Sequence, residues 1–92
     1  MNFRIMISPQ ARHQLDELDP KMRRRVLGAL GGLEADPFHA RPGVDIRKLA
    51  GLGGKADLYR LRVGQYRVIY EVSGDKIWVS EIPRRSAAYR FL

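Results

Sequence analysis

Tyr59-Arg60-Leu61-Arg62-Val63-Gly64-Gln65-Tyr66-Arg67-Val68-Ile69-Tyr70-Glu71-Val72 is the stretch from which the fold is read. Its first five residues alternate large apolar with basic side chains, and its last seven are largely aromatic or β-branched, so both runs suit half-buried strands. Gly64-Gln65 lies between them. A glycine at the first of two central positions is what a type II′ hairpin turn requires, because that position needs a positive φ. A two-residue turn fixes the register, which pairs Val63 with Tyr66, Arg62 with Arg67, Leu61 with Val68, Arg60 with Ile69 and Tyr59 with Tyr70. Opposed residues share a sheet face. One face is apolar, and the other gathers Arg60, Arg62 and Arg67.

Placing Arg62 directly across from Arg67 disfavours folding by about 0.2–1 kcal/mol. Local rules are broken in this way where function requires it. A solvated face with splayed arginine stems is the plain alternative; a site for a polyanion is the reading preferred here.

Working outward, Asn2 to Ile7 alternates Phe3, Ile5 and Ile7 with Arg4 and Met6, which predicts a first strand. Ser8-Pro9 is an N-cap followed by a proline at the first helical position, and Ala11, Leu15 and Leu18 give a helix from about Pro9 to Leu18. Asp19-Pro20 repeats the signal. Met22, Val26, Leu30 and Leu33, widened by Leu27, form the stripe of a second helix. Lys21, Arg23, Arg24 and Arg25 load its first turns against the macrodipole. Gly28, Gly31 and Gly32 weaken it, with close packing on the sheet as the expected compensation. Residues 35–56 read as one long loop, a length that hints at function. Its Gly51-Leu52-Gly53-Gly54-Lys55 lacks the spacing and the hydroxyl of a phosphate loop, so no nucleotide site is expected. Ser73-Gly74-Asp75-Lys76 turns into a last strand, Ile77 to Ile82. If Val72 pairs with Ile77, Arg67 comes opposite Ile82, Trp78 joins the arginine face, and the C-terminal Pro83-Arg84-Arg85-Ser86-Ala87-Ala88-Tyr89-Arg90 begins beside the arginines.

The expected fold class is α+β, with element order β-α-α-β-β-β: a helical hairpin on one face of a small, mostly antiparallel four-stranded sheet. A chain of 92 residues is one domain, 1–92. There is no cysteine, and His13 and His39 are far apart, so neither disulfides nor a metal site is expected. No run is long enough to cross a bilayer and no leader is visible, which points to a cytoplasmic protein without a membrane partner. The formal net charge of +7 is unevenly placed. Residues 1–36 hold six basic and five acidic side chains, and residues 37–92 hold eleven and five. Such a surface suits phosphates or an acidic protein.

The element order, the YRLRVGQYRVIY run and RRSAAYR after the last strand together resemble the RelE/ParE superfamily of toxins of type II toxin–antitoxin systems, and more closely its RelE branch. The resemblance spans the first strand to Tyr89. It implies a ribosome-dependent endoribonuclease that cuts mRNA in the decoding site and is neutralised by a RelB-like antitoxin. Arg60 and Arg62 match the family's basic residues on the second strand, Arg67 the arginine of its glycine-x-tyrosine-arginine segment, and Tyr89 its C-terminal tyrosine. The basic residue that acts as general acid falls on Arg84 or Arg85, since an offset of six from Tyr89 lands on Pro83. Arg47, Lys48, Lys55, Trp78 and Arg90 are the further RNA-binding candidates.

The chemistry can also be argued from the residues. Attack of a 2′-OH on its neighbouring phosphate needs cations on the pentacoordinate oxyanion, a base and an acid, and no cofactor. The arginines supply the first. Surrounding arginines favour the phenolate of Tyr89, which makes it a candidate base; pinning the tail or stacking on a nucleobase is its other reading. Two different functions compete: gyrase inhibition by a ParE-like toxin, which needs no catalytic cations, and a plain RNA-binding module.

Overall fold

Ser8 and Asp19 punctuate the N-terminal third as capping residues. In the computed structural model, which describes residues 2–49 and 58–84, the Ser8 hydroxyl accepts from the Ala11 N–H at 3.0 Å and the Asp19 carboxylate from that of Met22 at 2.9 Å. Strand β1 (Arg4–Ile7) leads into helix α1 (Pro9–Asp16), and helix α2 (Pro20–Leu33) follows. The first helix ends two residues earlier than its stripe suggests. The reason is Arg23, whose guanidinium donates to the carbonyls of Leu15, Asp16 and Leu18 at 3.2, 2.8 and 2.8 Å and so satisfies the last turn from outside. One of the four cations at the start of α2 is thereby accounted for.

Beyond α2 come β2 (Asp45–Lys48), β3 (Leu58–Val63), β4 (Tyr66–Ser73) and β5 (Lys76–Glu81). The sheet has five strands in the order β1-β5-β4-β3-β2, antiparallel except for the β1–β5 pair. The expected four-stranded sheet is corrected by β2, which lies in the stretch read as loop. Arg41-Pro42-Gly43-Val44 forms a turn with Gly43 at φ 81° and reciprocal backbone hydrogen bonds between Arg41 and Val44. Proline then glycine at the two centres is the type II turn signal. The strand that follows lays Ile46 into the core opposite Leu61.

The central hairpin has the expected register throughout, from Val63 opposite Tyr66 to Tyr59 opposite Tyr70. Gly64 has φ 61°, as the first central position of a type II′ turn requires, and among the described residues only glycines have a positive φ. Val72 pairs with Ile77, but between Ile69 and Tyr70 the register shifts: Tyr70 opposes Val79 and Ile69 opposes Glu81. Ser80 is the extra residue of this bulge, its hydroxyl donating to the Ile69 carbonyl at 3.2 Å. The shift has a packing cause. It lets both Val79 and Ile82 face the core while Glu81 stays out. The expected pairing of Arg67 with Ile82 is therefore off by one: the Arg67 N–H donates to the Pro83 carbonyl at 2.9 Å, and Arg84 bridges to Tyr66.

Both helices cover one face. Ala11, Leu15 and Leu18 with Val26, Leu30 and Leu33 meet Leu61, Val63, Val68, Tyr70, Ile77, Val79 and Ile82. Burying side chains of this size contributes about 1.5–3 kcal/mol each. Leu27 does not widen the stripe; it stands 46% exposed. Nor does Gly28 pack closely, since a Cβ there would meet nothing within 4 Å. The Tyr70 hydroxyl donates to the buried Pro37 carbonyl at 2.7 Å, and burial pushes its pKa well above the ordinary phenol value. No helix among the described residues is long and apolar enough to cross a membrane.

Candidate nucleic-acid interface

The face turned away from the helices carries the cations, and the strand register orders them. In one row Asp45, Arg62 and Arg67 lie side by side; in the next come Arg47, Arg60, Ile69 and Glu81. In the row after that, about 13 Å from Arg67 at ~3.3 Å per residue, Glu71 sits beside Trp78. Sequence reasoning brought Arg60, Arg62 and Arg67 together, and the structure does too.

Arg67 is the most unusual of them. It is 5% exposed, its Nη1 donates to the Tyr66 carbonyl at 3.3 Å, and its Nε has no hydrogen-bond partner. A desolvated guanidinium with a donor to spare is costly unless something anionic completes it. Arg60 is nearly as buried, with its side chain 9% exposed, and its Nη1 lies 3.3 Å from the Asp45 carboxylate and donates to the Asp45 carbonyl, also at 3.3 Å. Arg62 is exposed between them. Asp45 was missed in the sequence because β2 was; alternation along the strand sets it with Arg47 on this face.

The other candidates are distributed unequally. Arg47 is exposed and faces Arg60 across the β2–β3 ladder. Lys48 pairs with Tyr59, whose ring stacks on Tyr70 on the helix side, so it falls on the opposite face from the arginines. Trp78 is 41% exposed on the arginine face, beside Met6, with the Lys76 ammonium 6.0 Å from its ring centre. Arg84 is not brought onto that face. The bulge turns it to the side of Tyr66, where its guanidinium lies 5.8 Å from the ring centre and Nη2 donates to the Gln65 amide oxygen at 3.2 Å. Lys55, Arg85, Tyr89 and Arg90 lie outside the described residues. Among the described residues no three His, Cys, Asp or Glu side chains stand together as a metal site.

With one flanking carboxylate already paired to Arg60, the arginine face is suited to holding a phosphate and the charge that develops on it.

Comparison with known proteins identifies the family. Residues 5–89 match the family described as the ParE toxin of type II toxin–antitoxin system, parDE. Among solved structures, the archaeal RelE–RelB complex from Pyrococcus horikoshii OT3 contains a chain 37% identical to this one, with a TM-score of 0.79 over 96% of this chain and 100% of that one. Chains of the RelB–RelE antitoxin–toxin complex from Methanococcus jannaschii (22% identity, TM-score 0.70, 95% and 98% covered) and of the RelBE2 complex from Mycobacterium tuberculosis (23%, 0.66, 92% and 100%) share the fold. Strand order, turn chemistry and the family match converge: this chain belongs to the RelE/ParE superfamily, the toxins of type II toxin–antitoxin systems.

Proposed function

We propose that the protein is a cytoplasmic, ribosome-dependent endoribonuclease that cleaves mRNA in the decoding site, without a metal or other cofactor, and is neutralised by a RelB-like antitoxin. The observation that carries this reading is Arg67, buried with an unpartnered Nε directly across from Arg62. A desolvated guanidinium at the centre of a basic sheet face is completed by an anion, and the phosphate of an RNA backbone supplies one.

In this scheme the 2′-OH attacks its own 3′ phosphate, and Arg60, Arg62 and Arg67 hold the pentacoordinate oxyanion. Tyr89 takes the 2′-OH proton. Arginine has too high a pKa to hand over a proton readily, so the arginine at the acid's position donates a hydrogen bond to the departing 5′-oxygen, and water completes the proton transfer. The engagement of Arg84 with Gln65 and Tyr66 supports giving that position to Arg85. A site so poor in acid–base groups leans on positioning, which a ribosome supplies by holding the mRNA in line; geometry of that kind lowers barriers by several kcal/mol. The RelB complexes of the structural relatives support an antitoxin partner.

Primer extension on a defined mRNA, with and without programmed ribosomes, tests this. Cleavage only with ribosomes, lost in Arg67→Ala, is expected. Gyrase inhibition is the second reading, favoured by the ParE description of the matching family; absence of cleavage together with loss of DNA supercoiling activity by gyrase would establish it instead.

A further inference from the structure

At the Gly64 end of the hairpin an open cavity of about 350 Å³ is lined by three arginines and one carboxylate. Arg62 reaches it from β3, Arg25 from α2, and Arg41 from the turn before β2, with Gly43, Asp45 and Gly64 completing the rim. Arg25 belongs to the helix, not to the sheet face where the candidate residues were found. Its guanidinium lies against the turn: a Cβ on Gly64 would come 3.1 Å from Arg25 Nη1. Glycine there serves the positive φ and also leaves room for this approach.

The charges are not balanced within the cavity. Arg41 is fixed by its own backbone contacts, with Nη1 donating to the carbonyls of Asp36 and His39 and Nη2 to that of Gly32. Asp45 is engaged with Arg60. Among the described residues neither Arg25 nor Arg62 has a carboxylate partner. Two unpaired guanidiniums backed by an immobilised third suit a phosphate, with its three-sided array of acceptors. An acidic peptide would bring apolar side chains, and the wall offers only Val44 to receive them.

We propose that Arg25 and Arg62, with Arg41 behind them, form a second phosphodiester subsite of the RNA track, taking a backbone phosphate that flanks the one held by Arg60 and Arg67. Arg62 joins the two subsites, since it lines the cavity and directly opposes Arg67. The inference rests on the RNA reading above and adds a helix residue to it.

The test is fluorescence anisotropy of a labelled 2′-O-methyl single-stranded RNA, which cannot be cleaved, titrated at several salt concentrations with the parent chain, Arg25→Ala and Arg24→Ala. Arg24 is exposed on the same helix and does not line the cavity, so it controls for loss of one charge. Arg25→Ala is expected to weaken binding about tenfold and to reduce the salt slope by about 0.7, the value for one phosphate contact on a single strand. Arg24→Ala should stay within about twofold of the parent, as one unfocused surface charge does. Equal losses in the two variants, or an unchanged slope in Arg25→Ala, would overturn the subsite while leaving the RNA reading intact. No RNA binding by the parent chain even at low salt would overturn the subsite, whereas the RNA reading itself falls only if programmed ribosomes give no cleavage. If Arg25→Ala keeps its RNA affinity but loses affinity for a poly-glutamate peptide, the cavity serves an acidic protein and the proposal falls.

Discussion

The Arg60 guanidinium lies 3.3 Å from the Asp45 carboxylate, inside a sheet face otherwise dominated by unpaired cations. Arg60 is almost wholly buried and Asp45 is 54% exposed, so the carboxylate faces solvent from the rim and holds a charge that solvent cannot reach. Asp45 thus neutralises one arginine of the cluster and lies where a phosphate would compete with it.

Replacing Asp45 by Asn should therefore separate stability from binding. Arg60 loses its counter-charge, and we expect a loss of about 1–2 kcal/mol, less than for a fully buried pair because Asp45 is half in water. RNA affinity should rise several-fold as the face becomes more positive. Urea denaturation and RNA anisotropy on the same variant measure the two. A variant both less stable and weaker in binding would show that Asp45 positions Arg60 for the ligand.

Arg67→Ala should lower ribosome-dependent cleavage by roughly a hundred- to a thousandfold, the usual loss when one oxyanion donor is removed. Because its Nε has no partner in the folded chain, stability should hold or rise slightly. A variant that keeps full toxicity would remove this residue from the site.

Gly28 lies within α2, is exposed, and has open space where a Cβ would go. Gly28→Ala should stabilise the protein by about 1 kcal/mol, read as a rise in Tm of about 4–8 °C. An unchanged or lower Tm would mean that this face is not open.

Tyr70 gives an alkaline signature. Its phenol is held protonated in the folded chain by burial, then by the neighbouring Tyr59 and Asp36, whereas in the unfolded chain it ionises near 10.0. Above that pH the unfolded state has lost a proton that the folded state retains. Stability should therefore be full below pH 10 and fall as pH rises beyond it, by at most about 1.4 kcal/mol per unit. Tyr70→Phe should flatten this part of the profile. It should also reduce neutral-pH stability by about 1–3 kcal/mol, since the buried Pro37 carbonyl loses its donor. Chemical denaturation between pH 7 and 11 reads both effects.

Much of this was legible in the residues. Ser8-Pro9 and Asp19-Pro20 start both helices, and Gly64-Gln65 sets a register that puts Arg60, Arg62 and Arg67 on one face. β2 was not legible, because Asp45-Ile46-Arg47-Lys48 has a single apolar residue and becomes a strand only by pairing with the exposed edge of β3. The Pro42-Gly43 turn before it was the available signal. The path after β5 was misread for a different reason: a bulge at Ser80 leaves no mark in the alternation until Val79 and Ile82 are seen to need the same core.

Local chemistry, then, dictated the caps, the tight turns and the polar–apolar alternation, because each depends on residues a few positions apart along the chain. Packing between distant segments decided the rest. Arg25 reaches the Gly64 turn only because α2 lies across the sheet, Asp45 neutralises Arg60 only because an edge strand adds to β3, and Arg84 turns toward Tyr66 only because Ile82 must be buried. These outcomes depend on which apolar surfaces exclude water together, and that is a property of the assembled core.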